Sequence, residues 1–302
     1  MGSRMRRGKT MAQMVRWPRR WVTTLIAAGL VAIAVWFVPG EPLPEDTPYG
    51  WPHGGSWFAT TLVNPGFVVR YSEWHGVPEW VAYRADPPPR YRLGPRPDRF
   101  SPDSRTWRCR LHLGCVTHES YTRSGFDRGH MAPNFLIGTR YGRDAQYATF
   151  RMSNIAPQKP EHNRGSWERL ERLEANRFAP GASKLWVIVG PVWGENPLRF
   201  SSAWVAVPEA YYRILVREEA DGTRRAIAFL VPQDTPADSD LRDFIVAIDS
   251  VEALTGLDFF PALPENEQAR LESVEADPIQ WGLDDAWARQ PARYFGGDRA
   301  SP

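Results

Sequence analysis

The chain has 302 residues, 42% of them hydrophobic and 24% charged, which suffices for one large domain or two small ones. Two cysteines exclude a disulfide-dense scaffold, and no Cys/His array has zinc-finger spacing. The absence of a 20–50-residue repeat argues against a solenoid or propeller. Seven of the 37 basic side chains lie in residues 1–39, which carry no acid, leaving 30 basic against 35 acidic side chains, net −5. Within that acidic remainder, residues 84–200 hold 20 Arg/Lys against 11 Asp/Glu, so a polyanion can be held by one face only.

Residues 1–20 are basic, and Trp21–Val38 is an uncharged apolar run of eighteen residues. At about 1.5 Å per residue it spans the hydrocarbon thickness of a bilayer as a helix. Trp21 and Trp36 sit near its ends, and the arginines before it place the N-terminus in the cytoplasm and the rest outside, periplasmic or extracellular. The reading is a single-pass anchor. A cleaved signal peptide, with Ala32-Ile33-Ala34 as its site, and a mitochondrial presequence are rivals.

Residues 39–59 are rich in Pro and Gly and read as a linker. Strands are expected at 66–71, 79–84, 184–193, 204–207, 211–217, 225–231 and 245–248, where β-branched and aromatic residues concentrate. A helix is expected over 163–178, and Ser250 and Gly256 bracket another. The sum is an α+β domain with an antiparallel core sheet over 60–263, followed by an acidic, polar, loose tail at 264–302. Cys109 and Cys115 can close a small disulfide loop outside the cytoplasm; two buried thiols are the other reading.

There is no GxxxxGK[ST], GxSxG or HExxH motif, nor a GxGxxG after a strand, which removes the signatures of nucleotide-driven, α/β-hydrolase and zincin chemistry. Chemistry-bearing residues crowd instead between 121 and 178. Asp127-Arg128-Gly129-His130 sets an acid, a cation, a hinge for a tight turn and a proton acceptor within four residues. Arg128 has the planar fork that suits phosphate oxygens. Asp127 is suited to ordering the loop or a neighbouring arginine. Asn163 opens the expected helix; its amide oxygen is a hard neutral ligand of the kind Mg²⁺ accepts, and a helix cap is the bland alternative. Glu171 lies eight residues on, about 80° around a regular helix and about 12 Å along it, so it acts through a metal-bound water or by orienting an arginine rather than sharing the ion directly. Trp167 and Leu170 read as core.

FDRGH, then FRMSNIAPQ and N-x-G-x-W-x-x-L-E, closely resembles the DNA/RNA non-specific endonuclease family. Val81-Ala82-Tyr83, the Arg/Phe/Asp cluster around 96–103 and the stretch 252–260 agree with it, so the resemblance covers roughly 60–263. It implies a ββα-metal finger embedded in the α+β domain and one Mg²⁺ (or Mn²⁺) held by Asn163 as the direct protein ligand. It further implies His130 as general base, Arg128 stabilising charge on the phosphorus centre, and Glu171 ordering the ion's water shell. Asn154 and either Arg96 or Arg99 are supporting positions, as more weakly is Asn134. DNA and RNA are the implied substrates and the membrane a partner through 21–38; a homodimer is admissible but not readable. Competing functions are a non-catalytic, membrane-tethered nucleic-acid-binding module and a phosphodiesterase of small substrates.

Overall fold

The computed structural model describes residues 49–293. The apolar run 21–38, and with it the anchor expectation, lies outside the described residues. Among the described residues no helix is long and apolar enough to cross a membrane.

Strands β1 (His53–Gly54), β2 (Ala59–Asn64), β3 (Phe67–Ser72) and β4 (Val77–Arg84) open the domain. Helix α1 (Trp107–Arg110), strand β5 (Asp127–His130), helices α2 (Asn134–Tyr141) and α3 (Arg143–Ala148), and strand β6 (Ile155–Gln158) follow. A helical run comes next: a wide π-helical turn His162–Trp167, the regular helix α4 (Glu168–Leu173) and a second wide turn Glu174–Phe178. The chain continues with β7 (Lys184–Val192), β8 (Arg199–Phe200), β9 (Val205–Ala206), β10 (Ala210–Glu218), β11 (Arg224–Pro232) and β12 (Ile245–Val246). Helix α5 (Ile248–Thr255), strand β13 (Leu257–Asp258), and helices α6 (Glu265–Glu272) and α7 (Asp285–Ala288) complete it.

The core is a seven-stranded sheet in the order β12-β11-β10-β7-β4-β3-β2, antiparallel at every pairing. Its central strands read as near-continuous apolar runs, KLWVIVGPV in β7 and AYYRILVRE in β10, because both faces are covered. Alternate residues go to opposite sides. Val187, Val189, Tyr211 and Leu215 join one core with Trp167, Leu170 and Leu173 of the helical run. Trp186, Ile188, Tyr212 and Ile214 join the other with Ile248 and Val251 of α5 and Leu271 of α6. On the first side β5 and β6 pair, and the chain then enters the helical run, which supplies the expected two strands and a helix. Cys109 and Cys115 are joined by a disulfide.

Several expectations are corrected. The helix over 163–178 is not regular: Gly165 has φ −104° and ψ −107°, inside a wide turn that begins at His162. Two helices, α2 and α3, were not expected between the strands of the finger. The strand at 245–248 stops at Val246, and α5 starts at Ile248, ahead of Ser250; it ends as expected at Gly256, with φ +69°. Residues 49–59 are not mere linker, since Tyr49 is buried against Trp186 and Phe260 and Trp51 stacks on Trp80 at 5.8 Å. Residues 265–293 are not a loose tail. Leu271, Trp281, Leu283 and Ala288 are buried, and Arg169 donates to the Ala288 carbonyl at 2.6 Å. Composition hid both segments because a few anchoring apolar residues sit among many polar ones.

Gly190 marks how tightly the sheet is seated. A Cβ there would lie 2.5 Å from the Glu79 carbonyl and from the Tyr212 hydroxyl, and the Glu79 carbonyl, being backbone, has little room to yield. Gly190→Ala is expected to destabilise the domain by about 1–3 kcal/mol, lowering Tm in thermal unfolding followed by circular dichroism.

Candidate active site

A cleft of ≈ 630 Å³ opens over the finger, lined by Arg96, Arg128, His130, Asn134, Asn163, Arg164, Glu168, Glu171, Arg172 and Arg293 among others. Five arginines against two glutamates make its wall basic. Four of the five fall in the cationic stretch 84–200, so the acidic remainder of the chain does not set the field here.

His130 ends β5, and its ring packs against a pair of aromatic rings that also touch each other, Phe100 at 5.4 Å and Phe150 at 4.9 Å. Trp167 Nε1 donates to the His130 carbonyl at 3.3 Å, tying the strand to the helical run. Burial pushes the imidazole down to about 3, with the Arg96 guanidinium adding to the effect. Its Nε2 has no hydrogen-bond partner among the described residues. The ring is therefore neutral, and Nε2 is not engaged by any protein group among the described residues.

Asn163 lies one residue into the helical run and does not cap it. Its Nδ2 donates to Asp127 Oδ2 at 3.0 Å, which orients the amide and leaves Oδ1 as the edge it can offer a ligand. Asp127 is fixed in turn by a two-pronged contact from Arg164, at 2.7 and 2.8 Å. The acid of the DRGH string thus positions Asn163 and pairs with the arginine after it.

Arg128 donates through Nε and Nη2 to the His118 carbonyl at 3.2 and 2.6 Å and lies over the Phe100 and Tyr121 rings. Gly129 makes no tight turn, contrary to expectation. It lies within β5, and a Cβ there would come within 2.0 Å of Gln158 Oε1, so a larger residue would have to displace the buried Gln158 side chain. Asn154 does not reach the cleft. It is fully buried, accepts from Ala132 N at 2.9 Å and donates to the Ala132 and Thr149 carbonyls, which makes it a clamp on the loop after His130 rather than a group that meets substrate. Arg96 lines the cleft and lies over Phe150, whereas Arg99 is directed to Glu119. Asn134 lines the cleft with a buried Oδ1 that has no partner among the described residues.

Glu171 and Asn163 line the same cleft, with the irregular turn at Gly165 between them. Glu171 stands 3.8 Å from Arg213, which projects from β10 beneath the helix. Arg213 also pairs with Glu174, donates to the Tyr83 hydroxyl at 3.1 Å and lies over the Trp167 ring at 4.5 Å. Burial pushes the Glu171 carboxyl up to about 8, with Arg213 opposing. Sequence reasoning missed Arg213, although a lone charge in the run AYYRILV is a visible anomaly. Arg164, Arg172 and Arg293 carried no such signal.

The donor set is one oriented amide oxygen and a partly exposed carboxylate whose charged form is disfavoured without a counter-charge. Such a set fits a hard, oxygen-seeking divalent cation that keeps most of its waters.

A family model for DNA/RNA non-specific endonucleases matches residues 54–266. A nuclease of a Nostoc species is 32% identical over 225 residues, covering 70% of this chain and 77% of its own. A Serratia marcescens nuclease is 28% identical over 240 residues, covering 76% and 85%. The solved structure of an EndoG/EndoGI complex superposes with a TM-score of 0.63 at 25% identity, covering 74% of this chain and 95% of that one. The chain belongs to the DNA/RNA non-specific endonuclease family.

Proposed function

We propose that this chain is a Mg²⁺-dependent endonuclease that hydrolyses the phosphodiester bonds of DNA and RNA with little sequence preference, with His130 as general base and Asn163 holding the ion. The observation that carries the reading is the convergence, in one arginine-lined cleft, of an unprotonated imidazole and an amide aimed by Asp127. Asn163 would hold the ion, or Mn²⁺ in its place, with Glu171 ordering its water shell. When bound, the cation neutralises phosphate charge and assists the leaving oxygen.

His130 takes the proton of the attacking water. Packing against Phe100 and Phe150 keeps the ring in one place. Arg128 and Arg96 face the charge that builds on the non-bridging oxygens, and Arg128 is held for that role by the His118 carbonyl. Contacts of this kind go to phosphate and carry no base information, which accounts for the lack of sequence preference and for one site serving both DNA and RNA. Placement of the domain outside the cytoplasm rests on residues 1–38 and belongs to the same proposal; membrane fractionation with protease protection checks it.

The purified protein with Mg²⁺ is expected to nick plasmid and degrade RNA, and EDTA to stop both. His130→Ala is expected to lower turnover by about 10²–10⁴ with its fold intact. Salt-sensitive DNA binding without cleavage under any divalent ion would instead favour a non-catalytic binding module. Faster turnover of a bis-nitrophenyl phosphate than of polymer would favour a small-substrate phosphodiesterase.

The pH profile supplies a further check. A lowered imidazole pKa means that the basic form persists as pH falls below 6.5. At saturating metal, the acid limb of kcat/KM that belongs to His130 is therefore expected below pH 6.5. Arg96→Ala removes a charge that opposes protonation, so it is expected to move that limb upward and to weaken phosphate contact, while Arg99→Ala leaves the limb in place.

A further inference from the structure

The sheet face opposite the cleft carries a group of carboxylates for which the reaction has no use. Asp249 and Glu252 stand on α5 and Glu272 ends α6, and one carboxylate oxygen of each lies within 4.8 Å of the others. Asp258 adjoins them from β13, its carboxylate accepting from Gln268 Nε2 at 2.9 Å. The neighbouring charges that act most on Glu252 and Glu272 are all carboxylates. Glu252 is already fixed, accepting from Phe259 N at 2.7 Å.

Glu272 is the anomaly. Its side chain belongs to a residue only 4% exposed; Gln268 donates to the carboxylate, yet Oε1 has no hydrogen-bond partner among the described residues. A buried carboxylate oxygen without a donor, beside two further carboxylates, is costly unless a cation or a proton joins it. One proton relieves one member of the group; a divalent ion relieves all three. We propose that Asp249, Glu252 and Glu272 form a second divalent-cation site, separate from the catalytic cleft and suited to Ca²⁺, which fastens α6 to α5. Carboxylates arriving from two helices meet the preference of Ca²⁺ for several hard oxygens in an adaptable geometry. Glu272 lies beyond the stretch 54–266 that matches the family, and the ion would hold in place a helix whose Leu271 closes the second core.

Thermal unfolding of the purified protein after EDTA treatment, with and without added CaCl₂, tests this. Ca²⁺ at a hundredfold excess over its Kd is expected to raise Tm by roughly 5 °C in the parent chain and equally in Asn163→Ala, which disables the catalytic cleft. The shift is expected to vanish in Glu272→Gln, whose Tm in EDTA should equal or exceed that of the parent because one of three crowded carboxyl groups has been removed. Asp249 is exposed, so Asp249→Asn leaves the fold intact, and loss of the Ca²⁺ shift there supports the site independently of how Glu272→Gln folds. Nuclease activity at saturating Mg²⁺ should be unchanged in both. No shift with Ca²⁺, Mg²⁺ or Mn²⁺ in the parent would overturn the proposal in favour of a bound proton. A shift that survives both carboxylate substitutions and disappears in Asn163→Ala would overturn it in favour of the cleft.

Discussion

Arg213 lies in the middle of the strand AYYRILVRE with no exposure, and Glu174 meets it from the overlying helical run, equally sealed. Two charges in the interior are tolerated only if each satisfies the other, and deletion of one partner of such a pair costs about 3–5 kcal/mol. Tyr83 of β4 donates to Glu174 at 3.0 Å and accepts from Arg213, so the joint spans two strands and the helix. This joint seats the helical run over the sheet. Its neighbour Glu171 is drawn to the same guanidinium, and Trp167 packs its ring on it while holding the His130 carbonyl. Imidazole, amide and carboxylate therefore share one cleft because a buried cation fixes the element that carries two of them.

The electrostatics follow a similar division of labour. The described domain belongs to a chain whose body is acidic, yet the cleft is walled by Arg96, Arg128, Arg164, Arg172 and Arg293. Three of these are partly neutralised where they stand: Arg164 by Asp127, and Arg172 and Arg293 by Glu168. Those pairs fix the arginines in position and moderate the field. Arg96 and Arg128 rest on aromatic rings instead, which keeps their charge available to a phosphate. Family membership and this wall agree on a polyanionic substrate.

The two faces of the sheet serve different ends. One carries the finger, the helical run and the cleft, and the other buries Tyr49, α5 and α6. The carboxylates at the α5–α6 junction are on the second face, where a cation stabilises the fold without entering the chemistry.

The central strands and the DRGH, Asn163 and Glu171 constellation were legible in the sequence for a local reason. Strand propensity and short spacings are properties of neighbouring residues, and a motif of consecutive chemistry-bearing groups survives without knowledge of the fold. Tertiary structure alone decided the rest. It set Arg96 in the cleft wall and paired Arg99 with Glu119, made Asn154 a buried clamp, placed Gly129 against Gln158 rather than in a turn, and put the irregular turn at Gly165 between Asn163 and Glu171. It also showed that residues 49–59 and 265–293 pack into the two cores. Each of these depends on which surfaces meet across tens or hundreds of residues, and side-chain burial at such distances is set by packing, which composition and periodicity do not encode.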